Sequence, residues 1–189
     1  MMKKLLMAAP LSLALAMVAG TAAAAADPVS GTIYFTGEIK SGTCAIEVTN
    51  PGSPPGSPIY LGQHTAANFK AVGDELGTQA FTLRVDPTTG CTIVDGVATV
   101  NFTSQDGADS INPQLHSLRP GSAAGIAVAI RDDRDKRVLG YGDESPTFAT
   151  EDGKPLTMKF TAGYMSTLVA SSITSGDAYA DVNFTVTLP

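Results

Sequence analysis

The sequence has no tryptophan, only two cysteines and few basic side chains. Aromatic residues make up 6% of its 189 residues, and 12 lysines and arginines stand against 18 aspartates and glutamates. Nucleic acids and anionic membrane surfaces both bind basic faces, so an acidic chain is a poor partner for either. We therefore exclude nucleic acid as a partner.

Motifs of common enzymes and metal sites are also missing. The chain contains no G-x-S-x-G or H-E-x-x-H pattern, and His64 and His116 lie in polar, turn-like stretches that predict surface positions. The segment RDDRDKR (residues 131–137) offers three aspartates, but four basic residues interrupt them and the order of a calcium loop is absent. We interpret this segment as a solvated hairpin tip of mixed charge. The sequence predicts no catalytic activity, no metal and no cofactor.

The one long apolar run lies at the N-terminus, in MMKKLLMAAPLSLALAMVAGTAAAAADP. A charged start at Lys3 and Lys4, an apolar stretch and a run of small residues predict a secretory signal peptide over residues 1–26. The alanine run at residues 22–26 allows several cleavage sites, of which we favour the one before Asp27. No later segment could span a bilayer, so we expect the exported chain not to insert into a membrane.

Two cysteines in an exported protein normally form a disulfide. Cys44 and Cys91 are separated by 46 residues. In the chain-entropy model, a bridge closing such a loop contributes roughly 4 kcal/mol. A reactive thiol would need an unpaired cysteine and a neighbouring base, so we predict the disulfide.

Apolar residues alternate with polar ones in many short runs after residue 80. These runs are separated by turn-rich pieces such as DPTTG (residues 86–90) and EDGKP (residues 151–155). Short strands joined by such turns predict an all-β, two-sheet sandwich. The alternating residues are Phe81, Leu83 and Val85; Val100 and Phe102; Ile126, Val128 and Ile130; Leu156, Met158 and Phe160; and Val182, Phe184, Val186 and Leu188.

Both ends of the exported chain are alternating strands. The first, GTIYFTGEI (residues 31–39), places a mixed set of apolar side chains and glycines on one face: Gly31, Ile33, Phe35, Gly37 and Ile39. As an ordinary first strand it would pair within its own sheet. Glycine on an apolar face, however, marks a close approach of other groups, which leaves the partner of this strand open.

The chain resembles a known family, the type 1-like pilin subunits of chaperone-usher fimbriae. GTIYFTGEIKSGTC (residues 31–44) is similar to the N-terminal block of that family, and Gly176 matches its glycine fourteen residues from the C-terminus. The family usually has an aromatic residue at the penultimate position, where this chain has Leu188. Further matches are FTLRVDPTTGC (residues 81–91), GIAVAIRDD (residues 125–133), FTAGYMST (residues 160–167) and ADVNFTVTLP (residues 180–189).

The resemblance implies an incomplete immunoglobulin-like β-sandwich (the pilin fold) that lacks its last strand. It divides the chain into a signal peptide (1–26), an N-terminal extension that acts as the donor strand (27–39) and a pilin domain (40–189). The donor face would be Gly31, Ile33, Phe35, Gly37 and Ile39. The acceptor groove, which the chaperone reads before assembly, would include Gly176, Val182, Phe184, Val186 and Leu188.

The implied partners are a periplasmic chaperone, an outer-membrane usher and neighbouring pilin subunits. The implied location is a fimbrium on the bacterial surface, reached through the periplasm, where the fibre supports adhesion. Two subunit roles remain open: a shaft subunit, which we favour, and a minor or adaptor subunit whose loops bind a host glycan or protein. The exposed loop PGSPPGSP (residues 51–58) and the tip at residues 131–137 could carry such binding, although neither contains stacked aromatic residues.

Overall fold

In the part of the chain that the structure describes, seven strands form two antiparallel sheets that pack face to face, which confirms the predicted all-β sandwich. The computed structural model describes residues 44–88 and 90–189. One sheet has the order β1-β2-β6-β4 and the other has the order β5-β3-β7. The strands are β1 (Ile46–Thr49), β2 (Glu75–Val85), β3 (Gly96–Ser104), β4 (Ile126–Asp132), β5 (Phe148–Thr150), β6 (Leu156–Ser166) and β7 (Val182–Thr187); two 3-10 helices lie at Ala66–Asn68 and Ala170–Ser172.

Alternation along the strands fixes which side chains enter the core. In the β2–β6 pair, Phe81 lies opposite Phe160 and Leu83 lies opposite Met158. Leu83, Met158 and Phe160 are fully buried, while Thr157, between two buried neighbours on β6, points to solvent. A one-residue slip would turn all of these apolar side chains outward, so the register is strongly specified.

Phe160 lies at the centre of the core. Its ring centroid is 5.4 Å from that of Phe81, 5.2 Å from that of Phe102 and 5.8 Å from that of Phe148. These rings come from β6, β2, β3 and β5, so one aromatic cluster joins both sheets. Aromatic pairs at such distances stabilise the fold beyond the effect of area burial alone.

One lateral side of the sandwich is closed by a connecting segment. Val138 forms a bridge to Arg131 on β4, while Tyr141 and Glu144 form bridges to Phe102 and Asn101 on β3. This segment therefore links an edge strand of one sheet to the other sheet. The opposite side lies between β1 and β7, the edge strands of the two sheets.

Two expectations about polar residues were wrong. His116 is fully buried because its backbone N–H donates to Val128 O at 2.9 Å and its O accepts from Val128 N at 3.0 Å, which places the residue against β4. Asp132 is also fully buried, since it continues the inward face of Val128 and is bound by Arg134. The segment at residues 131–137 is therefore not a uniformly solvated tip.

Candidate functional site

The candidate site is the border between the two sheets along their edge strands β1 and β7, which we call the open seam. Within the described residues, β1 pairs only with β2, and β7 pairs only with β3. In an antiparallel ladder every second residue of an edge strand points its N–H and C=O groups away from its neighbour. Within the same residues, β7 therefore presents a row of backbone donors and acceptors to an additional strand. On the β1 side, the carbonyl oxygen of Val48 already accepts a hydrogen bond from Gly56 N–H at 2.8 Å.

Apolar side chains along the seam face the core but are only partly covered. Phe184 on β7 lies opposite Phe102 on β3, and Val186 lies opposite Val100. The two β3 residues are buried, whereas their β7 partners keep part of their surface exposed. This difference in burial is expected if β7 has no neighbouring strand on the side away from β3. The partly buried apolar residues packed against the core that belong to the two edges and their continuations are Cys44, Ile46, Val48, Ile59, Ala180, Val182, Phe184, Val186 and Leu188.

A glycine at a strand irregularity lets the chain continue the β1 side of the seam beyond Thr49. The β2–β6 register shifts between Leu76 and Gln79, and Gly77 in this bulge has a φ of 68°. A Cβ atom on Gly77 would lie 1.9 Å from the carbonyl oxygen of Leu61. Glycine is therefore required here both for its backbone conformation and for the close approach of residue 61.

Three tyrosines meet at one end of the seam. Tyr164 rises from β6 and donates its hydroxyl hydrogen bond to Ala178 O at 2.5 Å. Burial raises the pKa of Tyr164, and its proximity to Tyr179 and Tyr60 raises it further. Tyr60 follows the β1 side and Tyr179 precedes β7, and their side chains are 67% and 59% exposed.

Arg119 holds this end of the seam in place. Its backbone N–H donates to Tyr179 O at 2.7 Å, and its guanidinium carbon lies 5.8 Å from the centroid of the Tyr179 ring. The guanidinium also donates two hydrogen bonds to Asp181, one of them 2.6 Å long. These bonds hold the pKa of Asp181 below its ordinary value. The pair is partly exposed, so its contribution to stability is modest.

The disulfide lies at the other end of the seam. Cys44 and Cys91 are bonded, with their Cα atoms 4.8 Å apart, which confirms the predicted bridge. The bond ties Cys44, two residues before β1, to the connection between β2 and β3. It therefore fixes where the chain enters the sandwich.

The structure places the predicted groove residues in two different settings. Val182, Phe184 and Val186 lie on the inward face of β7, and Leu188 follows directly with the same partial burial. Gly176 is not on β7; it lies six residues before the strand, where a Cβ atom would be 3.2 Å from Ala123 N. The predicted donor residues Gly31, Ile33, Phe35, Gly37 and Ile39 lie outside the described residues.

The interpretation of the sequence missed Tyr60, Tyr179, Arg119 and Gly77. All four lie in irregular segments or at a bulge, where alternation gives no information. The aromatic residues near the ends of the two seam edges were the one available signal, but only the fold brings them together.

The described residues contain no group of three or more His, Cys, Asp or Glu side chains arranged to hold a metal. A depression of about 540 Å³ next to Arg137, Leu139 and Glu144 is polar and lies away from the seam. Within the described part of the chain, no helix is both long enough and apolar enough to cross a membrane.

Comparisons with known proteins agree on one family. The family model described as "Fimbrial protein" matches residues 33–188. The probable major fimbrial subunit LpfA of Escherichia coli O157:H7 is 30% identical over 170 residues, covering 90% of each chain. The relatives of this chain are structural fimbrial subunits, which agrees with the prediction that the chain is not an enzyme.

Solved structures share the fold. An antigen and type I fimbria protein of Burkholderia pseudomallei matches with a TM-score of 0.56 and 25% identity, covering 77% of this chain and 99% of that one. A subunit from a structure of a chaperone-usher pilus matches with a TM-score of 0.55 and 17% identity, covering 85% and 96%. The second likeness supports the fold alone.

Proposed function

The chain belongs to the fimbrial protein family. From this premise we propose that it is a chaperone-usher type subunit of a surface fimbria and that its open seam accepts the N-terminal segment of another copy. Residues 31–39 of one subunit would add a strand beside β7 of its neighbour. Donor-strand complementation of pilins is a known form of β-strand addition. The observation that carries the proposal is the partial burial of the inward face of β7.

The composition of residues 31–39 matches what the seam lacks. Ile33, Phe35 and Ile39 would cover the exposed parts of the β7 side chains, and burial of three large apolar side chains contributes on the order of 5 to 8 kcal/mol. Main-chain hydrogen bonds to the free edges add to this. Gly37 on the same face suits a place where the seam leaves no space for a side chain.

The contact joins two different surfaces, the donor segment of one copy and the seam of the next. Such head-to-tail contacts do not close on themselves, so they extend into a fibre. We assign the chain to the fibre shaft, in agreement with the name of its LpfA relative as a probable major subunit. Before assembly, a periplasmic chaperone would cover the seam, and an outer-membrane usher would exchange it for the donor segment.

Deletion of residues 27–39 from the exported chain tests the proposal. The shortened subunit should still bind its chaperone, because its seam is intact, but it should not donate a strand and fibres should not grow from it. Electron microscopy of cells and co-purification with the chaperone measure the two properties. Fibres of normal length built from the shortened subunit would contradict the proposal.

A matched pair of substitutions sharpens the test. Phe35→Ser changes the face that would enter the seam, while Tyr34→Ser changes the adjacent residue on the opposite face. We expect Phe35→Ser to reduce fibre formation severely and Tyr34→Ser to leave it nearly unchanged. Equal effects of the two substitutions would count against a strand with this orientation.

A further inference from the structure

We propose that Tyr60 and Tyr179, supported by Arg119, form a docking surface for the body of the next subunit in the fibre. This inference rests on the proposed function and adds a second contact beyond the donor strand. We call Tyr60, Tyr179 and Arg119 the tyrosine platform.

The tyrosine platform has the character of a binding surface. Tyr60 and Tyr179 are more than half exposed, although tyrosine side chains bury a large area when they find a partner. Tyr179 is held by Arg119 through a backbone hydrogen bond and through the guanidinium over its ring. Little rotamer freedom is therefore lost when a partner covers this ring, and tyrosine and arginine are both enriched at protein interfaces.

The direction of the donor strand places its last residue at this platform. In an immunoglobulin-like sandwich the strand added beside β7 runs antiparallel to it. The donor would therefore begin near Leu188 and end, at Ile39, near Val182. Tyr179 precedes Val182 by three residues, so the donor leaves the seam beside the tyrosine platform.

Only a short segment joins the donor strand to the sandwich of the same copy. That sandwich must therefore lie close to the place where the donor strand leaves the seam. From Ile39 to Cys44 there are five residue steps, which span at most about 18 Å when extended. The disulfide holds Cys91 beside Cys44, with 4.8 Å between their Cα atoms. The next copy must therefore present the disulfide end of its own sandwich to the tyrosine platform.

That disulfide end carries exposed apolar side chains. Val94 is 42% exposed and Val97 is 53% exposed, and both lie within six residues of Cys91. Each copy thus has an exposed aromatic surface at one end of the sandwich and exposed valines at the other. A second copy of this chain, docked head to tail, brings the two together.

Photo-cross-linking in assembled fibres tests the placement. In one subunit Tyr179 and Val94 lie at opposite ends, separated by the length of β3, which at about 3.4 Å per residue is about 30 Å. A cross-link between them can therefore form only between copies. With p-benzoylphenylalanine in place of Tyr179, we expect cross-linked subunit pairs whose peptide map joins residue 179 to the fragment containing Val94.

The same probe at Lys159, which is exposed on the outer face of β6 and lies opposite Thr82, serves as the control and should not join that fragment. Fibres that form normally but show no cross-link from residue 179 to the Val94 fragment would overturn the tyrosine platform as a docking surface. Binding of a glycan at Tyr60 and Tyr179 in place of a second copy would give that result.

A double variant separates this inference from the donor-strand proposal. Tyr60→Ala with Tyr179→Ala leaves the seam intact, so a synthetic peptide of residues 30–39 should stabilise the variant as much as it stabilises the unsubstituted subunit. Fibres of the double variant should be more flexible, with a persistence length in electron micrographs reduced at least twofold, while fibres of Lys159→Ala, on the outer face of β6, should keep their stiffness. Unchanged stiffness in the double variant would refute the docking surface, whereas a peptide that fails to stabilise the unsubstituted subunit would refute the donor-strand proposal instead.

Discussion

The substitution Phe184→Ala gives a quantitative test of the seam. Phe184 faces the core from β7, opposite the buried Phe102, and retains exposed surface that a donor strand would cover. Complete burial of a phenylalanine contributes about 1.5 to 3 kcal/mol, and part of that is already realised in the lone subunit. The remainder, about 1 kcal/mol, corresponds to a roughly fivefold change in Kd.

The assay is titration of a fluorescent peptide of residues 30–39 into a subunit trimmed of residues 27–39, which cannot supply its own donor. We expect Phe184→Ala to bind the peptide about fivefold more weakly. Thr185→Ala, on the exposed outward face of the same strand, should bind it as the unsubstituted subunit does. If Thr185→Ala weakened binding as much as Phe184→Ala, the peptide would not be entering the inward face, and the reasoning would be refuted.

The other predictions concern stability, measured by urea unfolding of the peptide-bound subunit. Gly77→Ala should lose about 2 kcal/mol or more through backbone strain and a backbone clash, while Gly73→Ala, also at positive φ but in open space, should lose only about 1 kcal/mol; similar losses would argue against the close approach. Burial lowers the pKa of His116 below its usual 6.5, so the imidazole of the unfolded chain is protonated at a higher pH than that of the folded chain. The free energy of unfolding should therefore fall as the pH decreases below about 6.5, by up to about 1.4 kcal/mol per pH unit. His116→Asn should remove that slope between about pH 7 and pH 5.5, and a persistent slope would show that another group is responsible. Arg134→Ala leaves the buried Asp132 without its charged partner and should cost about 2 to 3 kcal/mol, less than a fully buried pair because Arg134 is partly exposed; a loss below about 0.5 kcal/mol would contradict the role of this pair.

The longer strands could be predicted from the sequence because each has one buried face. Five strands of six or more residues show the alternation directly, as in Phe81, Leu83 and Val85 on β2. The strands β1 and β5 have four and three residues, and alternation cannot be recognised over so short a length. The disulfide could be predicted because export and a single pair of cysteines left one pairing.

The buried polar residues and the tyrosine platform could not be predicted in the same way. His116 lies in a polar stretch, and its burial depends on backbone bridges to β4 that only the folded chain forms. Asp132 did carry a signal, since it continues the spacing of Val128 and Ile130, but the surrounding charges obscured it. Tyr60 and Tyr179 are far apart in the chain and meet only because the two edges of the seam end at the same place.

Hydrogen exchange along β7 tests the central claim most directly. In the trimmed, isolated subunit, the backbone amides of β7 that point away from β3 should exchange rapidly. Addition of the peptide of residues 30–39 should protect every second amide of residues 182–187 and raise the melting temperature substantially. A trimmed subunit whose β7 amides are already protected, and whose melting temperature does not respond to the peptide, would contradict the proposal that another copy completes this fold.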